Sequence, residues 1–180
     1  MIKDQKAVTI LIQPFNDLRP ENVTGIANRI KKMYPYVRIL KPIGFPGNTY
    51  YQPRNRYRAD SVISFLSRNT GNGFVTMGLT SKDISAAKGP VKDFGIMGLA
   101  LRPGNACVAS SFRLYKYNAG EQFFKIAVHE LGHTQGLPHC PVKTCFMRAA
   151  EGKNPTNEET DFCKKCKQFL ISKNWKFNSI

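Results

Sequence analysis

The chain has 180 residues and a mass of 20.3 kDa, enough for one domain with a real core and too little for two large ones. A hydrophobic content of 42% with 22% charged residues excludes a disordered polyelectrolyte, and no apolar run approaches the length of a bilayer span. The net charge of +15 is diffuse, with 19 basic against 7 acidic residues in the first 128 positions, so it favours solubility and weak polyanion contact but specifies no nucleic-acid partner.

In chain order, AVTILIQPF is β-branched and apolar and is bounded by Pro14, which predicts a first strand. Its apolar run, Ala7 to Ile12, is too short for a signal-peptide core and no small-residue cleavage site follows, so a cytoplasmic location is expected. In RPENVTGIANRIKKMYP the residues Val23, Ile26, Ile30 and Met33 recur at spacings of three and four, an amphipathic helix that must end before Pro35. YVRILKPIGFPG gives a second short strand with a Pro/Gly-rich exit. In YYQPRNRYRAD, Arg54, Arg56 and Arg58 alternate among Tyr50, Tyr51 and Tyr57. That pattern fits either a solvated loop leading into a helix or a surface that stacks on and neutralises a single strand.

ADSVISFLSRNTGNG carries Val62, Ile63, Phe65 and Leu66 and predicts a second helix stopped by Asn and Gly. FVTMGLT, FGIMGLALRPGN and ACVASSFRLY read as the third, fourth and fifth strands. Helices between the early strands imply crossover connections and a largely parallel sheet, and the close spacing of the later strands implies a hairpin at its edge. Cys107, in the fifth strand, reads as a small core residue.

The next helix is predicted over NAGEQFFKIAVHELGHTQG. Asn118 and Glu121 have capping-box spacing, Phe124, Ala127, Val128 and Leu131 form an apolar stripe, and Gly136 supplies the stop. His129 and His133 therefore project side by side, one turn apart, and can offer imidazole nitrogens to one ion. Gly136 allows a sharp reversal that returns His139 as a third ligand. Three neutral imidazoles leave a zinc ion an open fourth position, and Glu130 beside the first ligand is placed to deprotonate a water there. All three histidines of the chain fall on the ligand positions of HExxHxxGxxH, the metzincin signature, which also calls for a methionine turn; Met147 lies eight residues past His139.

Five cysteines and no visible export signal argue against a disulfide framework. Cys163 and Cys166 form a C-x₂-C pair, and Cys140 and Cys145 a looser one; together they supply the four thiolates of a closed structural zinc site. Lys143, Lys164, Lys165 and Lys167 sit within or beside these pairs and can offset the charge of such a centre. They also permit a zinc-ribbon reading directed at nucleic acid. Cys140 is then the first ligand of a second site rather than a spare thiol, joined to His139 by one peptide bond.

The run HELGHTQGLPHCPVKTCFM followed by CKKC resembles the archaemetzincin (archaelysin) family, and GLTSKDI, FGIMGLA and VASSFRL resemble that family's central and edge strands. The resemblance is weak over residues 1–70 and strong from about 75 to 166. It implies an α/β (α+β), metzincin-like fold: a twisted, mixed, mostly parallel five-stranded sheet with an antiparallel edge strand, a backing helix and an active-site helix. A single metallopeptidase domain over 1–180 is implied, with a sheet subdomain over 1–136 and a small zinc-stabilised lobe over 137–180. It also implies a catalytic zinc on His129, His133 and His139, a structural zinc on Cys140, Cys145, Cys163 and Cys166, Glu130 as general base and Met147 as the Met-turn residue. Some metzincins carry a tyrosine two residues past that methionine; Ala149 stands here, so the oxyanion donor is unassigned.

The function expected is zinc-dependent peptide hydrolysis, with an extended substrate paired to an edge strand over Cys107 to Arg113, through Val108, Ala109 and Ser110. Two zinc ions, a peptide or protein substrate, no specific nucleic acid, no membrane and a monomeric state are expected. The competing class is a zinc-stabilised module that binds nucleic acid or an acidic partner, with a vestigial histidine site. The intact Glu130 speaks against it, because a purely structural metal site has no use for that carboxylate.

Overall fold

The structure, a computed structural model, describes residues 7–177. Strands β1 (Thr9–Pro14), β2 (Val37–Ile39), β5 (Phe74–Thr80), β8 (Gly98–Ala100) and β9 (Ala106–Ser110) form one sheet in the order β2-β1-β5-β9-β8. The first four in that order are parallel, joined by crossovers that contain α1 (Pro20–Met33) and α2 (Ala59–Arg68). β8 closes the edge antiparallel to β9, with Leu99 opposite Val108 and Ala100 opposite Cys107. The expected mixed five-stranded sheet with an antiparallel edge is therefore present.

Strand alternation divides the interior into two layers. Val75, Met77 and Leu79 of β5, with Cys107 and Ala109 of β9, face a layer built from α1, from α3 (Ala119–Thr134) and from the C-terminal residues, including α4 (Lys164–Ile171). Ala106 and Val108 face the other way, onto Val62, Ile63 and Leu66 of α2. Gly78 lies on that second face, where a Cβ would stand 2.9 Å from Leu66 Cδ1 and 3.3 Å from Val108 Cγ2, so glycine lets α2 seat closely on the sheet.

Three expectations are corrected. The predicted edge strand over Cys107 to Arg113 is not an edge: β9 lies between β5 and β8, and Val108, Ala109 and Ser110 are all buried. Its uninterrupted run of small and apolar residues is what a strand covered on both faces requires. The exposed edge is β8, drawn from the predicted fourth strand. That predicted strand is itself broken at Met97: Val91–Ile96 forms β7 of a second sheet, and only the following residues join the first.

The second sheet, made with β3 (Tyr50–Tyr51), β4 (Arg56–Arg58) and β6 (Ile84–Lys88), was not anticipated. An ion network holds it. Arg113 donates to both oxygens of buried Asp83 at 2.9 Å each, and Arg56 lies 3.0 Å from Asp83 and 3.2 Å from Asp93. Arg58 pairs with Asp60 at 3.0 Å, and Tyr57 stacks on Phe45 with ring centroids 3.9 Å apart. Most of the Arg–Tyr cluster is thus engaged within the fold, and Arg54 is the arginine of the group that stays well exposed.

The capping box at Asn118 is the third correction. Asn118 sits in the left-handed region at φ 53° with no side-chain cap bond. Gln122 organises the entry to α3 instead: its amide nitrogen donates to the carbonyls of Tyr115 and Tyr117, and its oxygen accepts from the Tyr115 N–H.

Candidate metal centres and active site

The active-site helix α3 ends in a Schellman motif: the Gly136 N–H donates to the His133 carbonyl at 2.9 Å and the Leu137 N–H to the Gly132 carbonyl at 3.0 Å. Gly136 takes φ 109°, a conformation side chains resist, and so reverses the chain toward His139. The same turn aims His133, whose Nδ1 lies 2.7 Å from the Leu137 carbonyl oxygen; His129 Nδ1 lies 2.6 Å from that of Phe146. A carbonyl only accepts, so both Nδ1 atoms carry the proton and both Nε2 atoms present lone pairs.

Those two Nε2 atoms face each other at 3.0 Å, and the donor atoms of His129, His133 and His139 all lie within 4.8 Å of one another. Opposed lone pairs at that separation are unfavourable unless a cation stands between them, so the residues present fit a metal ion. Burial, first of all, lowers the pKa of His129 to about 3 and that of His133 to about 4, with neighbouring positive charge adding to the effect; His139 is lowered the same way. Neutral imidazoles are the ligand form.

Glu130 is buried on the same helix with its side chain against β8. A Cβ on Gly98 would lie 2.6 Å from Glu130 Cγ and 2.7 Å from Cδ, distances no real side chain keeps. Glycine at 98 thus makes room for the carboxyl beside the exposed edge, and burial raises its pKa to about 8.

Met147 packs against the histidine-bearing helix α3 at Gly132. A Cβ on Gly132 would collide with its sulfur, so the glycine inside the histidine motif admits the methionine. The segment around Met147 has two further tasks: the preceding carbonyl orients His129, and the Met147 carbonyl accepts the Cys140 N–H at 2.8 Å.

That bond leads to the second cluster. The sulfurs of Cys140, Cys145, Cys163 and Cys166 lie within 4.8 Å of one another, Cys140 and Cys163 at 3.7 Å. Cys145 Sγ accepts backbone N–H groups from Met147 at 3.4 Å and Cys163 at 3.2 Å, as a thiolate ligand does. Burial, first of all, raises the Cys145 thiol to about 11, so this sulfur would give up a proton to a metal. Four thiolates arranged this way suit zinc.

The three histidines and the four cysteines expected as ligands are each clustered, Glu130 stands on the same helix and Met147 packs against it, and the expected substrate strand β9 is misplaced. Sequence reading missed Gly98 and Gly132. A glycine inside an apolar strand run does signal close approach, so IMGLA carried the hint, but its partner lies 32 residues away.

A helix-borne histidine pair, a third histidine returned by a glycine reversal and a methionine packed against the same helix define a zinc-dependent metallopeptidase of the metzincin class. The family model described as Peptidase family M54 matches residues 48–172. Archaemetzincin of Haloarcula marismortui is 31% identical over 148 residues, covering 75% of this chain and 83% of that protein. Archaemetzincin of Archaeoglobus fulgidus is 32% identical over 162 residues, covering 87% and 95%. Among crystal structures, archaemetzincin of Methanopyrus kandleri superposes with a TM-score of 0.80 at 26% identity, covering 97% of this chain and 99% of that one. The A. fulgidus protein complexed with malonate gives 0.76 at 30% identity, covering 90% and 99%. The chain belongs to Peptidase family M54, the archaemetzincins.

Proposed function

We propose that this chain hydrolyses peptide bonds with Glu130 as general base, holding a catalytic zinc on His129, His133 and His139 and a structural zinc on the four cysteines. The observation that carries the reading is the position of Glu130: a buried carboxyl on the ligand-bearing helix, lodged against a glycine of the open sheet edge. A zinc ion in the histidine site would supply Lewis acidity and lower the pKa of water toward 7.

The chain's own residues do the rest. The outer edge of β8 offers backbone N–H and C=O groups that have no strand partner among the described residues, and an extended substrate pairs with them antiparallel. Its scissile carbonyl then stands between the histidines and Gly98. Glu130 takes a proton from the attacking water as the new C–O bond forms, then delivers it to the amide nitrogen as the C–N bond breaks. The carbonyls of Phe146 and Leu137 keep the two helical imidazoles in the Nε2-presenting tautomer throughout.

The test is Glu130→Gln, which keeps the shape and removes the base. Both metals are retained and turnover of a peptide library falls roughly 10²–10⁴-fold; wild-type turnover in the variant removes Glu130 from the mechanism.

A further inference from the structure

Arg102 stands at the end of the substrate edge with no task so far assigned. It follows β8 and opens the turn to β9, and that turn rests on the reversal of α3. The Gly104 N–H donates to the Thr134 carbonyl at 3.0 Å, and Pro103 Cβ lies 3.9 Å from where a Cβ on Gly136 would be. The segment that carries Arg102 is thus fixed to the turn that carries His133 toward His139.

Strand alternation sets the direction in which residue 102 faces. Leu99 and Leu101 pack into the α2 layer, whereas Ala100 packs into the α3 layer and Gly98 meets Glu130. Beyond β8 the Leu101 N–H still donates to the Ala106 carbonyl at 3.0 Å, so the pairing with β9 runs one residue further and the same period puts Arg102 on the α3 side, with the histidines.

The guanidinium is exposed, and among the described residues no acid lies within ion-pair distance of it. Arg56, Arg58, Arg113 and Arg148, by contrast, each have a carboxylate partner. An unpaired, fork-shaped donor at the end of the open edge of β8 matches a carboxylate supplied from outside. β8 runs from Gly98, beside Glu130, toward Arg102, so a peptide antiparallel to it places the residues before its scissile bond near this arginine.

We propose that Arg102 is a specificity-determining residue that takes a substrate carboxylate, so that the enzyme prefers peptides with an acidic side chain among the three residues preceding the scissile bond. This rests on the peptidase reading above and adds the substrate class to it. The benefit is a charge-assisted hydrogen bond, and it weakens as salt screens it.

The experiment uses end-capped fluorogenic peptides that carry Glu or Gln at each of the three positions before and the three after the cleaved bond. Wild type prefers Glu over Gln at one of the preceding positions roughly tenfold in kcat/KM, the scale of one charge-assisted hydrogen bond. In Arg102→Ala the Glu-to-Gln ratio falls to about one, and in Arg102→Lys it is partly restored. A ratio of one in wild type, a ratio kept in Arg102→Ala, or a preference confined to the positions after the bond overturns the proposal. The same peptides are titrated by fluorescence anisotropy onto zinc-loaded Glu130→Gln protein, with and without Arg102→Ala. Arg102-dependent selection in binding without any wild-type cleavage would sink the peptidase reading and leave Arg102 standing. Cleavage without selection does the reverse, and neither cleavage nor selection removes both.

Discussion

Two glycines carry as much of this site as the groups that do chemistry. Gly98 clears the space in which Glu130 stands, and Gly132 clears the space for the Met147 sulfur. Gly132→Ala must push the methionine aside in a packed interior and is expected to lose about 1–3 kcal/mol of stability, measured by urea denaturation; a neutral result would mean that Met147 is free to move. Gly98→Ala acts on the carboxyl itself, so it lowers turnover while zinc content stays at the wild-type level. Equal loss of zinc and turnover would place the defect in the ligands instead. The ligand positions were legible because HExxHxxGxxH and C-x₂-C are local spacings whose geometry a helix or a tight turn dictates. The glycine contacts were not, because each joins residues that only the folded chain brings together. Asn118 was misread for a related reason: its spacing to Glu121 suited a capping box, yet Gln122 reaches back to the loop carbonyls first.

Between elements, the turn from His139 to Cys140 is the joint on which both clusters depend. The Cys140 N–H is held by the Met147 carbonyl, while the residue before that methionine orients His129. Cys140→Ser is therefore expected to weaken zinc at both centres, read as zinc released to a chelator in two phases that both move; a shift confined to one phase would show the clusters to be independent. A second link ties α3 to the loop before Cys163, where buried Lys125 donates to the carbonyls of Thr156 and Glu159 at 2.8 and 2.6 Å.

Glu159 in that loop is itself buried, and burial raises its carboxyl to about 7 against the opposing pull of Lys125 and Arg148. The folded chain thus holds this proton more tightly than the unfolded chain, whose carboxyl titrates at about 4.3. The associated stability is complete below that lower value and is lost as the pH rises through about 7. Glu159→Gln should be more stable than wild type at pH 8.5, by on the order of 1–3 kcal/mol, with the gap closing as the pH falls toward 5. A gap independent of pH would assign the difference to packing.

At this same scale the sequence reading misjudged which strand is the edge. FGIMGLA and ACVAS are both apolar, and pattern alone cannot tell which has a neighbour on each side. Pairing with β5 across the chain decides it. The second sheet was hidden because β3 and β4 are two and three residues long and are held by the Arg56–Asp83–Asp93–Arg113 charges rather than by an apolar stripe.

Over the whole molecule, ion pairs within the fold use basic and acidic residues together, so the +15 excess is carried by the remaining basic residues. Arg56 and Arg113 lock the second sheet, Arg58 and Arg148 are paired, and Arg102 has no acid within ion-pair distance among the described residues. No described helix is long and apolar enough to cross a membrane. The proposed function needs two metal centres joined through the turn from His139 to Cys140, one reactive and one structural. Elemental analysis of zinc per chain, on wild type and on His133→Ala, tests this most directly. The account predicts two zinc ions in the wild type and one in the variant. A single zinc in fully loaded wild type, or two retained by His133→Ala, would contradict it.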